Sequence, residues 1–148
     1  MEWVIILVCI IADQVSKYMI ETNAALHEVV LIRDFFHITY VKNTGMAWSM
    51  LSGQTGLLAL ISAVAIGVML YYLLKGNNDR LTKIGLSLMI GGAAGNLIDR
   101  LLLNYVRDFL NFYIFGYDFP VFNIADSVLC IGVFILLLAS ILEDRKNG

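Results

Sequence analysis

Four stretches of almost unbroken apolar residues, at positions 3–20, 56–74, 84–103 and 125–142, divide this chain. Each has about the 17–25 residues that an α-helix needs to cross the hydrocarbon layer of a bilayer, so the pattern predicts four transmembrane helices. The second is apolar throughout and is expected to face lipid most. The first is interrupted by Asp13 and Lys17, and the third by Asn96, Asp99 and Arg100. Polar groups at membrane depth belong on the bundle interior, so these residues are expected to face inward. The last stretch, "FNIADSVLCIGVFILLLASIL", opens on a carboxylate, Asp126.

The connections differ from one another. Positions 22–55 carry "EVVLI" and "FFHITYV", β-branched and aromatic runs between turn-prone polar residues, which suit short strands at the bilayer surface. Positions 104–124, "NYVRDFLNFYIFGYDFPVFNI", are dense in Phe and Tyr, and read as a loop lying partly among the headgroups. Within it Phe112, Tyr113, Phe115 and Tyr117 suggest a lid. The expected fold class is an all-α membrane protein, a single integral membrane domain over 1–148 with a small β-rich cradle and an interfacial aromatic loop.

Composition agrees: 59% of the 148 residues are hydrophobic and the mean hydropathy is +0.79, beyond the roughly 45–50% apolar share of soluble domains. Ten basic against twelve acidic residues leave a net charge of −2, with no basic footprint for nucleic acid. Lys75, Arg80 and Lys83 in the short loop and Arg145 and Lys146 in the tail place both in the cytoplasm by the positive-inside rule. Both ends are then inside, and the cradle and aromatic loop outside. Arg33, Lys42 and Arg107 on that outer side make the bias modest. The first apolar stretch lacks a basic start and a cleavage site, and reads as a permanent helix. Cys9 and Cys130 lie in apolar runs, and His27 and His37 have no ligand spacing, so neither a zinc site nor any other cofactor is expected.

In this topology Asp13, Lys17, Asn96, Asp99, Arg100, Asp108 and Asp126 gather at the outer end of the bundle. Each has a structural explanation. Asp13 and Lys17 form an i, i+4 ion pair; Asn123 and Asp126 match a helix-capping pattern; Gly91 and Gly95 have the spacing of close helix packing; Asp108 and Arg107 could be an interfacial pair. Together, however, two carboxylates near a bilayer surface can share a proton, one as general base on water and the other as general acid. The residues alone leave two readings open, an aspartyl hydrolase and an ion-coupled membrane protein.

The motifs "DQVSK", "KNTGMAW", "GGAAGNLIDR", "VRDF" and "FNIADS" resemble, in order and spacing, those of the bacterial lipoprotein signal peptidases, signal peptidase II. The resemblance implies a four-span aspartyl protease of the inner membrane that removes signal peptides from diacylglyceryl-modified prolipoproteins, cutting just before the lipidated cysteine. It makes Asp108 and Asp126 the catalytic pair and excludes Asp99 from it. Asn96 and Arg100 are implied to shape the substrate site and Asn123 to orient the dyad. Asp13, Lys17, Asn43, Gly45, Gly92 and Ala125 would support the pocket or meet the substrate. It also implies membrane lipid as a partner, and binding of a cyclic peptide inhibitor such as globomycin at the dyad. Two positions depart from the family pattern: Met46 stands where alanine is usual, and Arg107, where an apolar residue is common, is expected to favour ionised Asp108. A proton-relay transporter, the runner-up, calls for polar groups through the inner halves of the spans, which carry almost none; a non-enzymatic assembly factor would tolerate neutral replacement of either aspartate.

Overall fold

The computed structural model describes residues 1–46, 50–76 and 78–147, so Ala47 and Trp48 of the "KNTGMAW" motif lie outside the described residues. Its four long helices are α1 (Glu2–Thr22), α2 (Thr55–Lys75), α3 (Arg80–Leu103) and α4 (Ile124–Asn147). Each is long and apolar enough to cross a membrane. They begin or end a few residues beyond the apolar stretches, because capping polar residues carry the backbone hydrogen bonding past the hydrocarbon-like core. Asp79 caps α3 by accepting from Thr82 N at 2.6 Å, and Asn104 closes it in a left-handed conformation, φ 61°.

The apolar pattern is inverted relative to a soluble bundle. On α1 the buried stripe is Ile6, Cys9, Asp13, Lys17 and Ile20, whereas Val4, Leu7, Val8, Ile11 and Val15 are exposed. That is the arrangement for lipid outside and paired charge inside. α3 is the central helix, packed against the other three. A core of Ile6, Leu73, Leu86 and Ile90 fills the end of the bundle away from the polar cluster. α2 does not stand apart as the most lipid-facing helix: α4 leaves as much of its span exposed.

Glycines set the helix spacing on α3. A Cβ on Gly91 would lie 2.7 Å from Cys9 Cβ, and one on Gly95 2.5 Å from Asp13 Oδ2, so both face α1. A Cβ on Gly92 would collide with Ala125 O of α4 and lie 3.1 Å from Leu129 Cβ.

The four strands, β1 (Glu28–Ile32), β2 (Phe36–Asn43), β3 (Val106–Ile114) and β4 (Tyr117–Asp118), make one antiparallel sheet in the order β1-β2-β3-β4. The 104–124 section, expected as a loop, contains two of these strands, β3 and β4. Phe112 stacks on Phe36 with ring centroids 4.4 Å apart and Tyr113 tilts against His37 at 4.8 Å, so these two residues belong to the sheet and not to a lid. Pairing with β2, remote in sequence, decides this, and local composition does not reveal it. Only the tip keeps the expected character, with Phe115 fully exposed in a tight turn at φ 51° before Gly116.

Gly92→Ala should force α4 away from α3 and lower stability by about 1–3 kcal/mol, as overpacking does. Gly67→Ala on α2, where a Cβ meets nothing within 4 Å, should be neutral or slightly stabilising. Thermal unfolding of the purified proteins in detergent tests the pair; equal melting temperatures would contradict the packing described.

Candidate active site

β2 and β3 bring Asn43 and Asp108 to the end of the bundle where α3 finishes and α4 starts. Asp108 is 2% exposed. Its Oδ1 accepts from Asn123 Nδ2 at 2.6 Å and its Oδ2 from Asn43 Nδ2 at 2.9 Å. Asp126, in the first turn of α4, accepts at Oδ1 from Asn96 Nδ2 at 2.7 Å and at Oδ2 from Asn123 N at 3.2 Å. All four carboxylate oxygens thus receive a neutral N–H donor. The capping explanation of Asp126 is realised too, since Asp126 N donates back to Asn123 Oδ1 at 2.9 Å.

Each asparagine is oriented from behind. Asn96 Oδ1 accepts from Lys17 Nζ at 2.9 Å and Asn123 Nδ2 at 3.0 Å, and Asn43 Oδ1 from Gly45 N at 2.9 Å. Lysine has no acceptor, so the Asn96 amide has one permitted orientation, with its NH₂ toward Asp126. Gly45 is required because a Cβ there would lie 2.5 Å from Met50 O.

Beneath this layer lies an ion network. Lys17 is wholly buried, 2.8 Å from Asp13 and 3.3 Å from Asp99. Asp13 Oδ1 also accepts from Ala125 N at 2.9 Å, fixing the start of α4 on α1. Arg107 binds Asp99 through Nη2 at 2.7 Å and Nε at 3.2 Å, Glu21 at 2.9 Å and Gln14 at 3.0 Å.

This overturns the expectation for Arg107. Successive residues of a strand point to opposite faces, so Arg107 turns to Asp99 and Glu21 while Asp108 turns to the cavity. Burial raises the Asp108 carboxyl to about 7, with the Asp126 charge adding to it and Asn43, Asn123 and Lys17 opposing it. Burial works against the Arg107 charge, and Asp99 and Glu21 more than offset it.

Asp108 and Asp126 share a cavity of about 760 Å³ with Asn43, Asn96 and Arg100; the rest of the wall is mostly apolar, including Leu58, Ile61, Met69, Met89 and Leu129, with Ser62 and Ser127. Arg100 Nη2 donates to Gly45 O at 3.2 Å, while its buried Nε has no protein partner among the described residues. Gly92 and Ala125 serve the packing of α3 on α4, and Ala125 N also donates to Asp13 Oδ1.

The family model described as Signal peptidase (SPase) II matches residues 5–142. The chain belongs to the signal peptidase II family. It is similar to the lipoprotein signal peptidase of Bacillus pumilus (strain SAFR-032), 42% identical over 147 residues that cover 98% of this chain and 95% of that protein. It also resembles a bacterial membrane enzyme solved by the in meso method at 2.3 Å, with TM-score 0.90 and 38% identity over 99% of this chain and 90% of that one. A second such structure, at 1.9 Å, has TM-score 0.84 and 38% identity over 93% and 90%.

Sequence reasoning missed Gln14 and Glu21 in this signal peptidase II site. Tyr40 and Tyr105 both donate to Glu21 at 3.1 Å. Only the long-range partner, Arg107, gives Glu21 a role, and no local spacing announces it.

Lys17→Met should strand the Asp13 carboxylate, which has no other cation among the described residues, while Asp99 keeps Arg107, and should destabilise the protein by about 3–5 kcal/mol. Adding Asp13→Asn should recover part of the loss, because one uncompensated charge is removed. Melting temperatures in lipid-doped detergent measure both; a Lys17→Met protein as stable as the parent would exclude the network described.

Proposed function

We propose that this signal peptidase II family member is an aspartic endopeptidase that removes the signal peptides of diacylglyceryl-modified prolipoproteins, cleaving just before the lipidated cysteine. The observation that carries the reading is a pair of carboxylates, Asp108 and Asp126, at the mouth of an apolar cavity, with every oxygen held by a neutral donor. Family membership supplies the substrate class. The site's place at the outer face of a bacterial cytoplasmic membrane rests on the basic loop and tail.

The chemistry needs one proton on the pair. One carboxylate takes a proton from water as the water oxygen attacks the scissile carbonyl, and the other carboxyl gives its proton to the carbonyl oxygen; on collapse the first passes its proton to the leaving amine nitrogen as the C–N bond breaks, and the second recovers one from a hydroxyl of the diol. Neutral amides hold the carboxylates in place without forcing both to ionise. Arg100, which lines the same cavity, is a donor for a substrate carbonyl. Asp13, Lys17, Asn96 and Asn123 act as positioning residues, and Asn43 and Gly45 shape the rim. The acyl chains of the substrate contribute roughly 0.8 kcal/mol per buried methylene, and the apolar cavity is where they or the signal peptide are received. A cyclic peptide of the globomycin type fits the same mouth.

Asp108→Asn and Asp126→Asn should each reduce cleavage of a diacylglyceryl-modified peptide by at least about 10²–10⁴-fold while the protein stays folded. The parent should cleave the unlipidated peptide poorly. Near-normal cleavage by either variant, or equal turnover with and without the lipid, would overturn the assignment.

The dyad titrates as a pair, so turnover should be bell-shaped in pH. It should fall as pH rises through about 7, where Asp108 gives up its proton. Stability follows the same group. Between 3.8 and about 7 the native state holds a proton that the unfolded chain has released, so native stability declines as pH rises through that window. Asp108→Asn lacks this contribution, and its stability relative to the parent should increase across the window in thermal melts. A pH-independent difference would contradict a raised Asp108.

A further inference from the structure

Two cavities meet at Asp108. The first is the apolar one between α2, α3 and α4. The second, of about 470 Å³, opens over the sheet and includes Thr44, Ser52, Tyr117 and Asp118 in its lining. Both are bounded by Asn43, Met46, Asp108, Phe119, Pro120 and Val121, so a chain leaving the dyad on the side away from the helices continues directly into the second.

This outer groove is built before any ligand arrives. Val41 and Asp108 are register partners, so both stand on the sheet face that forms its floor. One wall carries Thr44, Met46 and Ser52, tied by Gly53 N to Thr44 O at 3.2 Å, Met46 N to Met50 O at 2.8 Å and the Thr44 and Ser52 hydroxyls at 3.0 Å. The other is the 117–121 segment, held by the pairing of Asp118 with Tyr113 and by Phe119 N to Phe112 O at 2.9 Å.

The two cavities differ in chemistry. The outer one presents hydroxyls, a carboxamide and carboxylates, as an aqueous polypeptide requires. Lys42 also borders it, but it pairs in register with Arg107, so its side chain leaves on the sheet face opposite Asp108, where its ammonium lies 4.9 Å from the centroid of the Tyr105 ring. The charge offered to a passing chain is therefore that of Asp118, which is exposed, together with the dyad.

We propose that this groove binds the extended polypeptide just downstream of the lipidated cysteine, and that Asp118 makes it favour a cationic over an acidic residue there. The inference rests on the peptidase reading above, with the signal peptide on the apolar side of the same dyad.

The test uses the full-length protein in lipid-doped detergent and synthetic diacylglyceryl peptides. One set ends at the cysteine or runs several residues beyond it; another carries Lys or Asp directly after the cysteine. Truncation should lower kcat/KM about tenfold, because binding energy away from the reacting bond is lost. The Lys peptide should be preferred up to about fivefold, the range of an exposed ion pair, and Asp118→Lys should reverse the order. Equal kcat/KM for all peptides would overturn the groove and leave the peptidase reading intact. A length effect with unchanged charge preference in Asp118→Lys would overturn the role of Asp118. Failure of the parent to cleave any lipidated peptide would overturn both readings.

Discussion

The Lys17 ammonium has three donors to place and no water in which to place them. It is wholly buried between α1 and α3, and its acceptors are Asp13, Asp99 and Asn96. Two of these are carboxylates, and buried charges are tolerated when they are paired. The third is the amide whose other end holds Asp126. One buried charge thus ties α1 to α3 and turns Asn96 the way the site needs. Asp13 extends the tie to α4 through Ala125 N. Asn96 is arranged by an ion that does not itself line the cavity, and Asn96 in turn accepts from Asn123.

That arrangement depends on short distances between helices. Gly91 and Gly95 let α1 approach α3, and Gly92 lets the first turn of α4 do so. Side chains at these positions would separate the charges of the network, and separated charges in a dry interior lose the attraction that offsets their desolvation. The small-residue stripe and the ion network are two halves of one requirement: packing makes the pairing possible, and pairing makes the polar residues tolerable.

Much of this was legible in the residues, for identifiable reasons. Apolar runs of membrane length define the helices because the bilayer sets both their length and their composition. Asp13, Lys17, Asn96 and Asp126 stand out because a polar side chain in such a run is rarely incidental. The i, i+4 pair and the capping pattern were readable because they are local. What failed was non-local. The 104–124 section reads as an aromatic loop until β2 is known to lie beside it, and the resulting strand alternation is what sends Arg107 away from Asp108. Glu21 and Gln14 look like ordinary helix-end and interior polar residues until Arg107 arrives from 86 and 93 positions away. Adjacency in sequence suggested that Arg107 would act on Asp108; adjacency on a strand ensures that it does not.

The choice of neutral donors around the carboxylates follows from the same geometry. A guanidinium in direct contact with Asp108 would favour its ionised form and leave the pair without an acid. Asparagine fixes a carboxylate's position nearly as well, through hydrogen bonds of 2.6–2.9 Å to Asp108, yet carries no charge to compete for the proton. Lys17 and Arg107 stand one layer back, where Asp13, Asp99 and Glu21 absorb their charge, and Arg100, which does line the cavity, hydrogen-bonds to Gly45 O and to neither carboxylate. Burial and the facing carboxylate then raise Asp108 to about 7. A membrane interior strong enough to demand paired ions, and a second layer that neutralises them, leave neutral amides as the groups that hold Asp108 and Asp126 in place.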